Sequence, residues 1–434
     1  MATRRWKAPL LIVLAALIVL AASVLITASP RGDAENSSLR KALEVMALIK
    51  LHYVEPVSIV DLTREYVASG TIPGLMKAVQ DPYSRYMDKK NFKDMQIDTT
   101  GEFGGIGIYI GMRDDRVVVI SPIDDTPAAR VGMNAGDIII SINGRSTEGM
   151  TSEQASTLMR GPEGSKVTIG VERGPDRQRL EFEIIREIIR VPSVEAQILE
   201  DGIGYLRITS FTGTTVKGLY TKLDELEQAG LRGLIMDLRF NPGGLLTAAI
   251  DVVDDFVTQG PILHVAGRDG RGKHSFMATP EAQYPDLPLV VLVNKGSASA
   301  SEIVAGALKD LERATIIGTQ TFGKGSVQTI FPLTDGSGLV LTTQKWYSSG
   351  GQSIHIKGIA PNIIVYNPGD EEMEEHLKKM QAEQQKPKSE QQQEPIQEDV
   401  TEVERQEEPF VDLQLQKAIE VLKDKITLPQ QSAA

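Results

Sequence analysis

Between residues 202 and 365, short apolar runs of strand length alternate with helical stretches, and this alternation restricts the fold more than any other feature of the chain. Residues 204–208, 233–238, 287–293 and 315–317 read as strands, with helices expected near 215–228, 246–256 and 299–311 and further strand near 338–345. Strands separated by helices have to cross over, so this region is expected to be α/β with parallel pairing in its sheet. Ligands of such sheets gather beyond the carboxyl ends of strands and at the amino ends of the helices that follow. The segments starting at Leu238, Asn294 and Thr321 occupy such places.

Residues 101–186 follow another rhythm. Ile106, Ile108 and Ile110 alternate with Gly107, Tyr109 and Gly111. Strands are expected over 116–120, 137–142, 166–172 and 180–185, with a helix over 151–159 and turns at Asn143-Gly144 and Gly161-Pro162, which makes a compact β-rich domain. Leu39, Ala42, Leu43, Met46 and Ile49 recur at spacings of three and four, so residues 37–95 are expected to be helical. Arg4, Arg5 and Lys7 precede residues 8–28, a run without a charged residue. At about 1.5 Å per residue, a helix of that length crosses a hydrocarbon core of about 30 Å. The basic flank would stay cytoplasmic, which carries the rest of the chain across the membrane. Ala21, Ala22, Ser23 and Ala28 also fit a cleaved signal peptide, but the apolar run is long for one, and an uncleaved anchor is the preferred reading.

Composition removes several function classes. The chain has 434 residues, 41% of them apolar, enough for more than one core. It has no cysteine, which excludes disulfides, thiolate nucleophiles and cysteine-based metal sites. A net charge of −12 argues against nucleic acid as a partner. Residues 1–7 carry +3 and residues 370–408 carry −9, which leaves only −6 on the remainder. That stretch of 370–408 has 14 acidic residues, 5 basic ones and 8 glutamines, the composition of a solvated linker. Beyond it, an amphipathic helix over 410–422 is expected to dock on the body or to mediate self-association. His52, His264, His274, His355 and His376 form no HExxH pattern or close pair, so no metal or other cofactor is expected. There is no GxSxG elbow either; a Ser-His-Asp triad would need His264 or His355 to meet a serine in the fold.

Three loops could carry chemistry, and each also has a plain structural reading. In Asn294-Lys295-Gly296-Ser297-Ala298-Ser299-Ala300-Ser301-Glu302, a serine lies between a strand and a helix, where helix N–H groups can stabilise an anion. Ser299 with Glu302 is equally a capping box. Lys324 lies between Gly323 and Gly325, as in a phosphate loop, but Gly325 stands where that motif needs serine or threonine. It reads either as a surface lysine in a glycine turn or as a lysine whose pKa burial lowers, so that its neutral amine can take a proton from serine. Leu238-Arg239-Phe240-Asn241-Pro242-Gly243-Gly244 is either an ordinary strand-to-helix turn or a source of oxyanion donors.

In combination these motifs resemble a known family. Asp81-Pro82-Tyr83-Ser84-Arg85-Tyr86, Phe103-Gly104-Gly105-Ile106-Gly107, residues 238–244 and 297–302, Gly323-Lys324-Gly325 and Gly358-Ile359-Ala360-Pro361-Asn362 stand in the order found in C-terminal processing peptidases, also called tail-specific proteases. The match runs over roughly residues 37–366. It implies a membrane segment or signal peptide at 1–30, a helical module at 36–96, an inserted β-rich PDZ domain at 97–190 and an α/β catalytic core at 191–368 of the crotonase-like α/β/α kind. An acidic linker at 369–409 and a terminal helix at 410–425 complete the layout.

The resemblance makes Ser299 the nucleophile and Lys324 its general base, with Gln328 positioning the lysine. Ser297 and Ser301 remain rival nucleophiles. Backbone N–H groups of Gly243, Gly244 and Ala300 would hold the oxyanion, and the reaction would pass through an acyl-enzyme. In the PDZ domain, Gly104, Gly105, Ile106 and Gly107 would capture a terminal carboxylate, Ile106 and Ile108 would line the side-chain pocket and the helix over 151–159 would form the other wall. A dinucleotide reading of these glycines fails because Ile110 stands where GxGxxG needs glycine. The implied activity is an extracytoplasmic serine endopeptidase whose protein substrates are recognised by their C-terminal region, compatible with homo-oligomers and with an activating partner. The alternative is a non-catalytic PDZ scaffold or chaperone on a peptidase-like body, which would bind peptide without turnover.

Overall fold

The computed structural model describes residues 33–370 and 411–427; the expected membrane segment at 8–28 and, apart from Asp370, the acidic stretch at 370–408 lie outside the described residues. Among the described residues no helix is long and apolar enough to cross a membrane. The chain divides into two compact units: the described residues up to Lys93 with Val265–Lys273 and Ser326–Lys345, and the remainder.

In the first unit, helices Asp33–His52, Ile59–Ser69 and Ile72–Met76 follow one another. Ser58 caps the second helix by accepting from Val60 N, and Gly70, at φ 66°, ends it in the left-handed conformation that glycine adopts without strain. Strands Ser326–Pro332 and Gly338–Tyr347 pair antiparallel, and Arg85–Met87 lies on the other side of Gly338–Tyr347. Leu339 and Leu341 from these strands and Leu333 from the turn between them share a core with Ala42, Val45, Ile49, Leu62 and Leu75 from the helices. The Asp81–Tyr86 motif stitches these parts together. Asp81 Oδ2 accepts from Ser84 Oγ (2.5 Å) and Thr342 Oγ1 (2.6 Å), and Ser84 Oγ accepts from Thr342 N (3.0 Å). The helical module therefore completes its core with strands more than 200 residues away.

The second unit holds a β-rich domain and an α/β core. The β-rich domain is an antiparallel sheet in the order Ile108–Arg113, Arg116–Pro122, Ile138–Ile142, Lys166–Arg173, Gln178–Ile185, which leaves Ile108–Arg113 at an edge. Val117, Val119, Ile139, Ile142, Val167, Ile169 and Val171 form its core. In the α/β core, Val194–Ile198 pairs antiparallel with Ile203–Ile208; Gly233–Asp237, Leu289–Val293, Thr315–Gly318 and Ile363–Ile364 then follow in parallel. Every residue of Gly233–Asp237 and Leu289–Val293 is buried, as expected for parallel strands covered on both faces.

The terminal helix, Leu413–Thr427, docks on the sheet of its own chain. Ala418 and Leu422 share a core with Ile203, Ile235, Val290, Leu292 and Ile317. Ahead of it, Asp412 Oδ1 meets Arg239 Nη1 at 2.8 Å, while Arg239 also binds Asp237. Arg239 opens the loop that runs to Gly244, so the end of the chain buttresses the start of that loop.

Asp255 is buried between helices. It accepts from Tyr220 Oη at 2.9 Å, while its Oδ2 has no hydrogen-bond partner. Burial pushes its pKa up to about 6, aided by Asp254 and Asp251 and opposed by the Tyr220 bond. An acid raised on folding stays protonated in the native state at pH values where the unfolded chain ionises. Its penalty is absent below the ordinary carboxylate range, grows as pH rises and is complete above about 6. Asp255→Asn is therefore expected to gain about 1–3 kcal/mol over wild type at pH 7.5 and almost nothing at pH 4, as read by urea unfolding at the two pH values.

Candidate active site

The strand Leu289–Val293 feeds the turn that contains Ser297 and Ser299, and helix Ala300–Asp310 begins directly after it. Ser299 has φ 54° and ψ −111°, a region that non-glycine residues occupy only when the surroundings hold them there. Glu302 supplies that hold. Its side chain is buried, Oε2 accepts from the amides of Ser299 (2.8 Å) and Lys324 (2.9 Å), and Oε1 accepts from Thr321 Oγ1 (2.6 Å) and the Gly323 amide (2.6 Å). Four donors satisfy one carboxylate and tie the serine turn to the lysine loop. The capping-box reading and the functional one thus describe the same residue. Thr321 Oγ1 in turn accepts from Ile359 N (2.7 Å), which anchors the Gly358–Asn362 motif on the lysine loop. Beyond Lys324, its carbonyl accepts from Trp346 Nε1 at 2.9 Å.

The rival serines have other work. Both are buried: Ser297 Oγ donates to Leu238 O (2.7 Å) and Ser301 Oγ to Asn241 O (2.9 Å). They fasten the third loop, residues 238–244, against the serine turn, and Ala298 N adds a bond to Asn241 O (3.0 Å). Of the two triad histidines, His264 is engaged with Ser275 Oγ (2.7 Å) and Ser349 O (3.3 Å), outside the Ser299 turn.

The oxyanion expectation needs one correction. The Gly243 amide already donates to Asn241 Oδ1 at 2.9 Å, so it is not available to an oxyanion. Gly243 serves by lacking a side chain: a Cβ there, at φ 102°, would lie 2.8 Å from Ser299 Cβ and 2.9 Å from Ala300 N. The Gly244 and Ala300 amides remain the candidate donors, Ala300 being the first residue of its helix, where amides have no intrahelical acceptor. Gln328 belongs to the first unit, where its Nε2 donates to Ser326 Oγ (2.9 Å) and Thr342 Oγ1 (3.3 Å).

In the β-rich domain, a cleft of 170 Å³ is lined by Gly105, Ile106, Gly107, Ile108, Ile110 and, from helix Ser152–Met159, by Ser156 and Met159, among others. It runs beside the edge strand Ile108–Arg113, which offers its free side to an added strand. The carbonyls of Ile106 and Gly107 accept from Ala128 N and Ile123 N inside the domain. Because the peptide unit is planar and trans, the N–H groups of Gly107 and Ile108 point the opposite way. Gly104 is corrected: it does not line the cleft. Its carbonyl accepts from Gly161 N (3.0 Å), and a Cβ on it would come within 2.1 Å of Gly161 O, so its part is close packing of two chain segments. Sequence reasoning did not find Arg186, which is buried and donates to Met159 O (2.7 Å) and Leu158 O (3.0 Å), fixing the end of the helical wall.

A serine turn and a lysine loop tied to one buried carboxylate, in a chain whose β-rich domain also carries a cleft along an edge strand, are the equipment of a peptide-cleaving hydrolase, and comparison with known proteins agrees. The model of Peptidase family S41 matches residues 202–365, that of the PDZ domain residues 118–173, and that of the activating protease CtpB N-terminal domain residues 20–91. A carboxy-terminal-processing protease of Bartonella bacilliformis is 44% identical over 314 residues, which is 69% of this chain and 72% of that protein. The carboxy-terminal processing proteases CtpB and CtpA of Bacillus subtilis are 37% and 35% identical, over 79% and 83% of this chain and 71% and 77% of their own lengths. The chain belongs to the carboxy-terminal processing proteases, serine-type peptidases that carry a PDZ domain.

Glu302→Gln puts an amide where four donors converge. It is expected to lower kcat by about a hundredfold, since misplaced reacting groups cost that much, with a smaller change in KM. Steady-state kinetics with an unfolded protein substrate, alongside an unfolding curve to show that the variant is folded, checks this.

Proposed function

We propose that the chain is an extracytoplasmic endopeptidase in which Ser299 attacks the scissile carbonyl and neutral Lys324 takes the serine proton. The observation that carries this reading is the pair of bonds that the Ser299 and Lys324 amides make to one oxygen of Glu302. The attack yields a tetrahedral anion, which the amides of Gly244 and Ala300 receive; its collapse releases the amine product, protonated by the lysine, and leaves an ester on Ser299. Water, deprotonated by the same amine, then hydrolyses the ester. Gln328 keeps the role that the family resemblance gives it, orienting Lys324. Substrates enter through the PDZ cleft by their C-terminal region, with the terminal carboxylate on the N–H groups of Gly107 and Ile108 and an apolar side chain among Ile106, Ile108 and Met159. The core is read as crotonase-like, and residues 8–28 as the anchor that places the body outside the cytoplasm. An activating partner completes this reading.

Ser299→Ala and Lys324→Ala are each expected to lower kcat by about a thousandfold or more on an unfolded protein substrate. Wild-type kcat/KM should rise with pH to a plateau as the amine loses its proton. Undiminished activity in either variant would remove the dyad. For the location, a membrane-impermeant amine label applied to intact cells stripped of any outer layer should modify lysines of the body; modification only after lysis would place the body in the cytoplasm.

A further inference from the structure

Among the described residues, Phe240 and Ile356 are the only large apolar side chains with positive φ, at 59° and 67°. This conformation is costly for a bulky residue and most costly for a β-branched one. Burial does not repay it: Phe240 is 69% exposed and Ile356 79% exposed. Both lie on the loops of the candidate site. Phe240 stands in the 238–244 loop, its amide donates to Asn294 Oδ1 (2.9 Å), and a Cβ on Gly296 would come within 2.8 Å of its Cα and 3.1 Å of its ring. Ile356 donates its amide to the carbonyl of Gly323 (2.8 Å), directly before Lys324.

A third large apolar side chain joins them. Phe322, 47% exposed, donates its amide to Ser297 O (3.0 Å) and sits between Thr321 and Gly323, both bonded to Glu302. Three large apolar side chains thus reach solvent from loops bonded to the Ser299 turn or adjoining Lys324. Strain that packing does not repay collects at functional sites, and exposed apolar surface beside a nucleophile has the substrate as its natural cover. We propose that Phe240, Phe322 and Ile356 are substrate-contacting residues that select apolar side chains next to the scissile bond. This rests on the Ser299 reading above, and adds a second selective step after recognition by the PDZ cleft.

The test uses Phe240→Gly and Ile356→Gly, which remove the side chain and also relieve the strain, together with Phe322→Ala. Substrates are peptide pairs that differ only in leucine or serine beside the cleaved bond, amidated at the C terminus so that capture of a carboxylate plays no part. The glycine variants should unfold at the same or a higher temperature than wild type, while the preference for leucine falls about tenfold, the scale of one apolar contact. In a Ser299→Ala background the same substitutions should weaken binding of the leucine peptide but not of the serine peptide. A preference and a binding difference that survive all three substitutions would overturn the proposal. A wild type that binds the leucine peptide selectively, loses that selectivity in the variants and yet cleaves neither peptide would support the contact surface while removing the hydrolase reading.

Discussion

The arrangement of the site depends on one buried carboxylate. Taking Glu302 out of water carries a penalty of several kcal/mol unless its oxygens are fully bonded, and here they are, by three backbone amides and one hydroxyl. Those donors come from two different loops, so neither loop can shift without leaving a buried carboxylate oxygen short of a donor. Ser299 stays in its left-handed conformation because its amide is one of the four. The third loop is tied to the same turn by the hydroxyls of Ser297 and Ser301. Two of the three serines in the turn act as fasteners, and the third is presented.

The parallel sheet explains why these loops are neighbours at all. Leu289–Val293 lies between Gly233–Asp237 and Thr315–Gly318, so the segments leaving the carboxyl ends of three adjacent strands emerge side by side. Burying both faces of that sheet requires a layer that the family-model region does not include, and the terminal helix supplies it through Ala418 and Leu422. Asp412 shows the cost and return of this closure. Burial alone would raise its pKa, but the Arg239 guanidinium, the Leu415 amide and Asn367 together outweigh that and hold it below the ordinary carboxylate range. The final helix is thereby wired to the residue that opens the 238–244 loop.

Much of this could be read from the sequence, because it depends on local pattern. Alternating strands and helices gave the α/β core, the alternation from Ile106 to Gly111 gave the edge of the cleft, and Ser299 and Lys324 lie in the loops where such sheets bind ligands. What escaped depends on side chains reaching across the chain. Nothing local says that Asn241 Oδ1 takes the Gly243 amide, or that Gly104 packs under Gly161 and not in the cleft. The bond between Arg239 and Asp412 spans 173 residues, and the strands from Ser326 to Lys345 complete a core begun near Ala42; periodicity carries no record of either. Phe240 carries no local mark either, since its exposure and positive φ are properties of the folded loop.

The central claim is that one serine of the three in the turn forms a covalent ester during peptide hydrolysis. Rapid acid quench of the wild-type enzyme with a slowly deacylating substrate, followed by trypsin digestion and fragmentation of the peptide that follows Lys295, reads this directly. The added acyl mass should sit on Ser299 and be absent from Ser299→Ala. Acyl mass on Ser297 or Ser301, or steady turnover with Ser299 replaced, would contradict the account.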